Sequence, residues 1–553
     1  MQNPQTVTCD VAIVGGGPAG LTLAIELGRR GIDCLLLDDK PGTTRNPQAN
    51  ATQARTMEHF RRLGFAHEIR AMGLPADYPT DAVFYTRFAH HELARFRMPA
   101  AAAVAQMARA SAGSWSTPEL PHRCSQLFLE PVLRKHAEAN PGVRIRFNWR
   151  VTSLASEAEG VTLQAEHTDG RQRCTVRARY AVGCDGPRSL VRRTLGIGME
   201  GESRVVRDWM GGKMHATYFR SRELYRLIPG DKAWMYLSFN QDRRSFMAAI
   251  DGTEEFVFHS QFRPGEDDEN VSPAQAHAMF CQALGTECPI EPISSTSWHA
   301  GHALVAQRYG DSRVFIAGDA AHLFTPTGGL GYNTAIEDVA NLGWKLAAVL
   351  QGWAPAALLA TYDLERQPLG VRNTSRARAF AHAIGNFLPD PNLEASGPAG
   401  EAARRAAGAF LGEHLEREFN IPGITFGGRY DGSPIIVADG TAPPPDEVNR
   451  YVPTACPGGR APHAWLADGR SLFDGLGPDF TVLVMKPDAA DAHGVARHAQ
   501  ASGVPVSVLH LDSEELREAY GADLGLIRPD QHVAWRGDSA QALAGAIPRA
   551  IGF

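Results

Sequence analysis

The sequence predicts a multidomain α/β protein: a Rossmann-type unit interleaved with a β-sheet domain and followed by a separate C-terminal unit. Three observations lead there. Glycine-rich strand-to-helix junctions recur at three places, and short alternating apolar runs fill the interval between the second and third. A Pro/Gly/Ala-rich stretch around Leu388 to Gly408 then marks a break before the C-terminal part. At 553 residues the chain exceeds one ordinary hydrophobic core, so two or three domains are expected.

The first junction reads CDVAIVGGGPAGLTLAIELGRRGIDCLLLDDK. Asp10 to Val14 forms a buried strand, Gly15, Gly17 and Gly20 fill the GxGxxG positions, and Pro18 suits the first turn of a helix with Leu21, Ala24 and Leu27 on its apolar face. Bare backbone N–H groups at a helix start can donate to the oxygens of a pyrophosphate. A second strand, Ile32 to Leu37, ends in Asp38, whose carboxylate can take a ribose diol. This junction predicts dinucleotide binding.

The second junction, ARYAVGCDGPRSLVRRTLGI, runs a strand into Asp185-Gly186-Pro187 and a short basic helix with Arg188, Arg192 and Arg193. In the third, RVFIAGDAAH delivers Asp319 to a loop after Gly318, and Pro326 to Gly331 turn into the helix YNTAIEDVANLGWKLAAVL. Acid, glycines and helix start suit a flat or anionic cofactor lying against main chain, with Asp319 binding a polyol.

Between these junctions MHATYF, WMYLSF, SFMAAI and FVFHSQF alternate with period two, which predicts an antiparallel sheet with one covered face. His215, Tyr218, Tyr225, Tyr236 and His259 are its polar or hydroxyl-bearing candidates for site chemistry.

The formal charge of −6 and the lack of a basic stripe argue against nucleic acid. The eight cysteines are scattered, with no CxxC pair and no metal-ligand spacing, which predicts a reduced, cytoplasmic chain without a metal. No signal segment and no apolar run of spanning length is visible, so a membrane is not an expected partner.

The three junctions, in this order and at these separations, resemble the class A flavoprotein monooxygenases, the aromatic-ring hydroxylases. The resemblance implies FAD as cofactor and NAD(P)H as reductant. It assigns Gly15, Gly17, Gly20 and Asp38 to the ADP half, Asp185 and Gly186 to a DG motif near both cofactors, and Gly318 and Asp319 to a GD motif on the ribityl chain. Pro326, Gly328, Gly329, Leu330, Gly331, Tyr332 and Asn333 fall where the family's loop passes the isoalloxazine ring, and Gln126 in PHRCSQLFLEPVLR is a further match. PGGRAPHAWLADGRSLFDGLG and RPDQHVAWRG look like the phenol-hydroxylase branch, which carries a thioredoxin-like C-terminal domain.

The implied activity is hydroxylation of a phenolic or similarly activated ring with dioxygen through a C4a-hydroperoxyflavin, the partners being a small aromatic substrate, dioxygen and a second copy in a homodimer. The implied domains are 1–200 with 295–385 for FAD, 201–294 for the substrate sheet, 386–429 as a helical connection and 430–553 as the thioredoxin-like unit. Two departures stand out. The flavin loop reads GGLGYN where relatives often have GGQGMN, and Asn50 stands at the position of phenol hydroxylase's catalytic acid, where an amide cannot be a base. Among the sheet candidates Tyr218 and Tyr236 are the first choices for a catalytic role, Arg188 and Arg192 are possible contacts for a nicotinamide phosphate, and His322 is assigned a structural role. A halogenase would show WxWxIP and a Baeyer–Villiger enzyme FxGxxxHxxxW; neither motif occurs. A flavin reductase of the same fold and a redox-inactive FAD-stabilised binding protein are the alternatives; the phenol-hydroxylase-like tail argues against the first, and NAD(P)H-dependent oxygen consumption separates the second from a hydroxylase.

Overall fold

The computed structural model describes residues 5–203, 209, 211–263, 265–267, 269–486, 492–501 and 503–553. Its first sheet runs Val143–Phe147, Cys34–Asp38, Gln5–Val14, Arg173–Gly183, Val314–Ile316 and Gly310–Asp311, parallel through the first five strands. Val11 to Ile13 and Cys34 to Leu36 are fully buried because other elements pack on the sheet, the helix Pro18–Gly28 and the strand Trp149–Ser156 among them, the reason these strands read as unbroken apolar runs. The helix Pro18–Gly28 packs on the long helix Leu330–Leu350, where Gly343 lets Glu26 approach: an added Cβ would lie 2.7 Å from its side chain. All three glycine-rich junctions therefore meet at the C-terminal ends of adjacent parallel strands, where open α/β sheets bind ligands.

The second sheet has seven strands, in the order Glu291–His299, Lys213–Arg220, Glu255–Gln261, Arg244–Ala249, Met235–Phe239, Ala82–Tyr85, Glu92–Phe96. It is antiparallel except where Met235–Phe239 meets Ala82–Tyr85 in parallel. This corrects the expected domain limits, since two strands from within 1–200 belong to this sheet and its edge strand continues to His299. The helix Pro273–Leu284 covers one face through Met279, Phe280, Ala283 and Leu284. The opposite face meets the helix Ala360–Gly385 through Ala381 and Ile384. The segment expected as a helical connection holds the helix Gly397–Phe419, which packs beside the edge strand Glu92–Phe96.

The C-terminal sheet has the order Val506–His510, Phe480–Val484, Leu524–Ile527, Val533–Gly537, parallel in its first pair and antiparallel in the rest. With helices Ala492–Ala501, Glu514–Tyr520 and Ala540–Ala550 this is the thioredoxin-like arrangement. Cys456 is buried outside that sheet. Trp344, Ala348, Trp353 and Leu358 of the first unit share one apolar cluster with this sheet, so the two are docked through a hydrophobic core. Among the described residues no helix is long and apolar enough to cross a membrane.

Candidate active site

The first junction is built for close approach at one point only. A Cβ on Gly15 would lie 2.2 Å from the Cys184 carbonyl oxygen and one on Gly20 would lie 2.0 Å from that of Gly15, so both glycines serve packing. At Gly17 an added Cβ meets nothing within 4 Å. Gly17 is also the N-cap of its helix and offers no side chain to the free N–H groups. This is the open, N–H-rich spot a pyrophosphate requires. Asp38 accepts the Gly16 N–H at 2.6 Å and the Lys40 N–H at 2.7 Å, one on each oxygen, and keeps lone pairs for a diol.

Asp185 and Asp319 approach the same cleft differently. One oxygen of Asp185 accepts the Leu190 and Val191 N–H groups at 2.7 and 3.1 Å and so caps the short basic helix, while Oδ1 is buried with no hydrogen-bond partner. Asp319 is exposed within the cleft, yet the protein crowding it pushes its carboxyl above the usual range, against the pull of His322 and Lys40. Behind it, Asp338 accepts from His322 Nε2 at 2.7 Å, Arg366 Nε at 2.9 Å and the Gly318 N–H at 3.2 Å. Burial pushes the Asp338 carboxyl up, but His322 and Arg366 outweigh it and hold the group below its ordinary value. This buried cluster fixes the backbone that presents Asp319, and His322 serves it structurally.

Arg192 is corrected. It is 8% exposed and donates to the Ala320 carbonyl at 2.9 Å and the Pro187 carbonyl at 2.9 Å. It ties the second junction to the third and has no free face for a phosphate. Arg188 remains exposed.

The flavin-type loop is held from three sides. Asn333 accepts from the Gln53 N–H at 2.8 Å and Thr56 Oγ1 at 2.7 Å, and donates to the carbonyls of Ala51 and Gly329 at 2.9 and 2.6 Å. Gln53 donates to the Gly328 carbonyl at 3.0 Å, and Glu418 accepts the Gly328 N–H at 2.9 Å. Gly328 and Gly329 have φ of +72° and +62°, and a Cβ on Gly329 would come within 2.9 Å of Ala51. Gly329 then caps the 21-residue helix Leu330–Leu350 without a side-chain bond, leaving N–H groups for a ligand. Gln126 accepts the Ala49 N–H at 3.3 Å and donates to Glu130 at 2.6 Å, which places it against the segment leading to Asn50. Asn50 Oδ1 is buried without a partner.

The cleft therefore suits a flavin dinucleotide along its whole length: an open pyrophosphate spot, two acids with spare acceptor capacity and a second uncapped helix start. A family model for the FAD binding domain matches residues 8–377, and one for the aromatic-ring hydroxylase C-terminal domain matches residues 454–552. This chain belongs to the FAD-dependent aromatic-ring hydroxylases. It is 31% identical to the FAD-dependent monooxygenase apdD of Emericella nidulans over 100% of this chain and 91% of the relative. It is 32% identical to a putative polyketide hydroxylase of Streptomyces coelicolor over 96% of this chain and 94% of that one. RebC with bound 7-carboxy-K252c matches it with a TM-score of 0.88 at 32% identity, 100% of each chain being covered. The protein is an FAD-dependent, NAD(P)H-using monooxygenase of aromatic rings.

Within this hydroxylase the sheet candidates separate by face. Tyr236 lies in the cluster under helix Pro273–Leu284, where its hydroxyl accepts the Ala233 N–H at 2.8 Å. Tyr225 shares that cluster and bonds Tyr78. His215 pairs with Ser260 on the same side as the Thr217/Phe258 and Phe219/Phe256 pairs. These three face away from the flavin-type loop, and a catalytic role for Tyr236 is withdrawn. Period two shows that neighbours alternate; it does not show which set faces the cofactor.

Tyr218 is on the opposite face, packed near Leu127 and Phe128 of helix Gln126–Glu138. Its hydroxyl donates to Glu255, and burial, reinforced by that carboxylate, pushes the phenol up. It remains protonated and bound to an acid, so it is no general base. His259 is also on this face, stacked on Phe246 with ring centroids 4.3 Å apart. Its Nδ1 accepts from Trp298 Nε1 at 3.2 Å, and burial brings its pKa down to about 3, with His215 adding to the effect. The imidazole is neutral throughout the working range, with its acceptor nitrogen already used.

Proposed function

We propose that the substrate is a phenol carried on a fused-ring, polyketide-type skeleton, bound between the open sheet face and the flavin-type loop. The observation that carries this reading is a strip of half-buried apolar side chains. Ala51, Met98 and Met235 lie at one end, Phe246 and Trp298 along the sheet, and Phe324 beside Gly331. Such a strip exceeds the width of one ring, and large partly exposed apolar side chains at a domain junction mark a ligand wall. The similarity to a polyketide hydroxylase supports the same class.

In this reading the open backbone at Gly17 and the Asp38 carboxylate would hold the ADP half, Asp319 would take the polyol chain, and the free N–H groups at the Gly329 helix start would stabilise negative charge on the flavin. Bound FAD, reduced by NAD(P)H, supplies the activated oxygen. The chain's own contribution is orientation, exclusion of water and handling of the phenol proton. Of the sheet candidates on this face neither is available for that proton, because Tyr218 is held by Glu255 and His259 by Trp298. The buried, partnerless Oδ1 of Asn50 is placed to accept a hydrogen bond from the phenol and raise electron density on the ring without removing the proton.

Two measurements test this. NAD(P)H oxidation and oxygen uptake across mono-, bi-, tri- and tetracyclic phenols, with peroxide assayed in parallel, should show the best coupling for fused rings; coupling confined to single-ring phenols refutes the class. Asn50→Ala should lower kcat about 10- to 100-fold, the scale of one buried hydrogen bond to a reacting group, with FAD still bound. Asn50→Asp should introduce a new ionisation in the kcat profile, and an unaltered profile places residue 50 outside the reaction.

A further inference from the structure

Arg123 is a buried cation without an anion. It sits on the two-residue strand His122–Arg123, opposite Ala51 in the pair with Ala51–Thr52, and is 3% exposed. Its Nε and Nη1 have no hydrogen-bond partner, and Nη2 reaches only the thioether of Met98 at 3.1 Å. The guanidinium lies over the Trp234 ring, 4.7 Å from its centroid. Four other arginines no more than 3% exposed are matched by acids: Arg55 and Arg460 by Glu58, Arg366 by Asp338, Arg528 by Glu365. Among the described residues no carboxylate pairs with Arg123. Burial alone depresses its pKa to about 10.

Holding an unpaired charge out of water costs several kcal/mol, and folds avoid it unless a partner arrives from outside. The place says which partner. Ala51, across the strand pair from Arg123, touches Gly329 of the flavin-type loop, and Met98, Met235 and Ala51 form one end of the apolar strip. Asn50 immediately precedes Ala51. A delocalised cation between an aromatic face and a thioether suits a planar oxyanion better than a point charge.

Resting on the substrate site described above, we infer that Arg123 anchors a planar oxyanion of the aromatic substrate, a carboxylate or an acidic phenolate, at the end of the strip beside Ala51. It thereby selects anionic over neutral phenols.

The test titrates FAD-loaded protein at pH 7 with three probes of one skeleton, following the flavin spectrum. They are 3-hydroxy-2-naphthoate (carboxylate), 2,4-dinitro-1-naphthol (phenolate) and 2-naphthol (neutral). The expected result is that at least one anion binds about tenfold or more tighter than 2-naphthol, as a charge-assisted contact implies, and which one identifies the oxyanion. Arg123→Gln should erase that preference while 2-naphthol binding changes less than about twofold, and Arg123→Lys should restore part of it. Equal binding of all three probes by the wild type overturns the anchor and leaves the fused-ring site standing, and it does so whether or not the variants fold. Loss of the yellow colour in Arg123→Gln assigns the arginine to the cofactor and overturns it as well. If no probe perturbs the flavin, the fused-ring site falls and takes the anchor with it.

Discussion

Gly20→Ala is expected to abolish folding, and Gly17→Val to leave a folded, colourless protein. The two glycines are three residues apart in one motif, but their surroundings differ. At Gly20 even one methyl group would sit 2.0 Å from the Gly15 carbonyl oxygen, in backbone shared by the strand and the helix that build the first sheet. Neither can yield without separating the helix Pro18–Gly28 from its strand, so soluble expression should collapse. Gly17 has φ −77°, an ordinary value for any residue, and an added Cβ meets nothing. Valine there should cost at most about 1 kcal/mol of apoprotein stability, the scale of a cap substitution. Its methyl groups would fill the spot assigned to the pyrophosphate, and FAD affinity should fall at least about 100-fold, some 3 kcal/mol of lost contacts. Thermal unfolding of the apoproteins with flavin absorbance of the purified proteins checks both. A yellow Gly17→Val protein would remove the pyrophosphate from that position.

How much of this was legible in the chain follows from the range of the interactions involved. Strand, glycines, helix and terminal acid lie within one βαβ stretch, so Gly15 to Asp38 could be read locally. The thioredoxin-like unit could be named only through its resemblance, because its order depends on pairing between strands up to about fifty residues apart. Local pattern misplaced Tyr236: alternation assigns it a face, but only the helix Pro273–Leu284 decides that this face is the outer one. It also missed the contribution of Ala82–Tyr85, whose parallel partner Met235–Phe239 lies about 150 residues downstream. Arg192 reads as a basic helix face, and only the fold shows it spent on two carbonyls. Arg123, inside PHRCSQ, gives no signal at all, since its lack of an acid is a property of the packed state. The same holds for the ion pairs that seat the C-terminal domain.

Acid should loosen that seating between the ordinary carboxylate range and about pH 2. Glu365, 1% exposed, accepts from Arg528 at 2.7 and 2.8 Å, Lys345 at 2.6 Å, Asn341 at 2.7 Å and Ser433 at 2.7 Å, joining the helix Ala360–Gly385 to the RPDQH segment. Glu58 likewise holds Arg460 and Arg55, and Arg55 continues to the Asp530 carbonyl at 2.6 Å. Burial pushes both carboxyls up, but the facing cations outweigh it and bring each to about 2: Arg528 and Lys345 for Glu365, Arg460 and Arg55 for Glu58. A carboxyl more acidic in the folded state than its reference of 4.5 contributes stability that is fully present above that value and is lost as pH falls towards 2. Urea midpoints measured from pH 7 to 2.5 should therefore drop steeply below about 4.5. Glu365→Gln leaves Lys345 and Arg528 short of their main acid and should cost about 3 kcal/mol or more at pH 7, the scale of a broken buried pair. Because the charge is already gone, its midpoint should also depend less on pH than the wild type's. The variant should expose the Trp344 and Trp353 cluster first, since those rings lie between the two units, and a tryptophan transition preceding loss of flavin would report it. Equal stability of Glu365→Gln and wild type at pH 7 would mean that apolar docking alone holds the C-terminal domain.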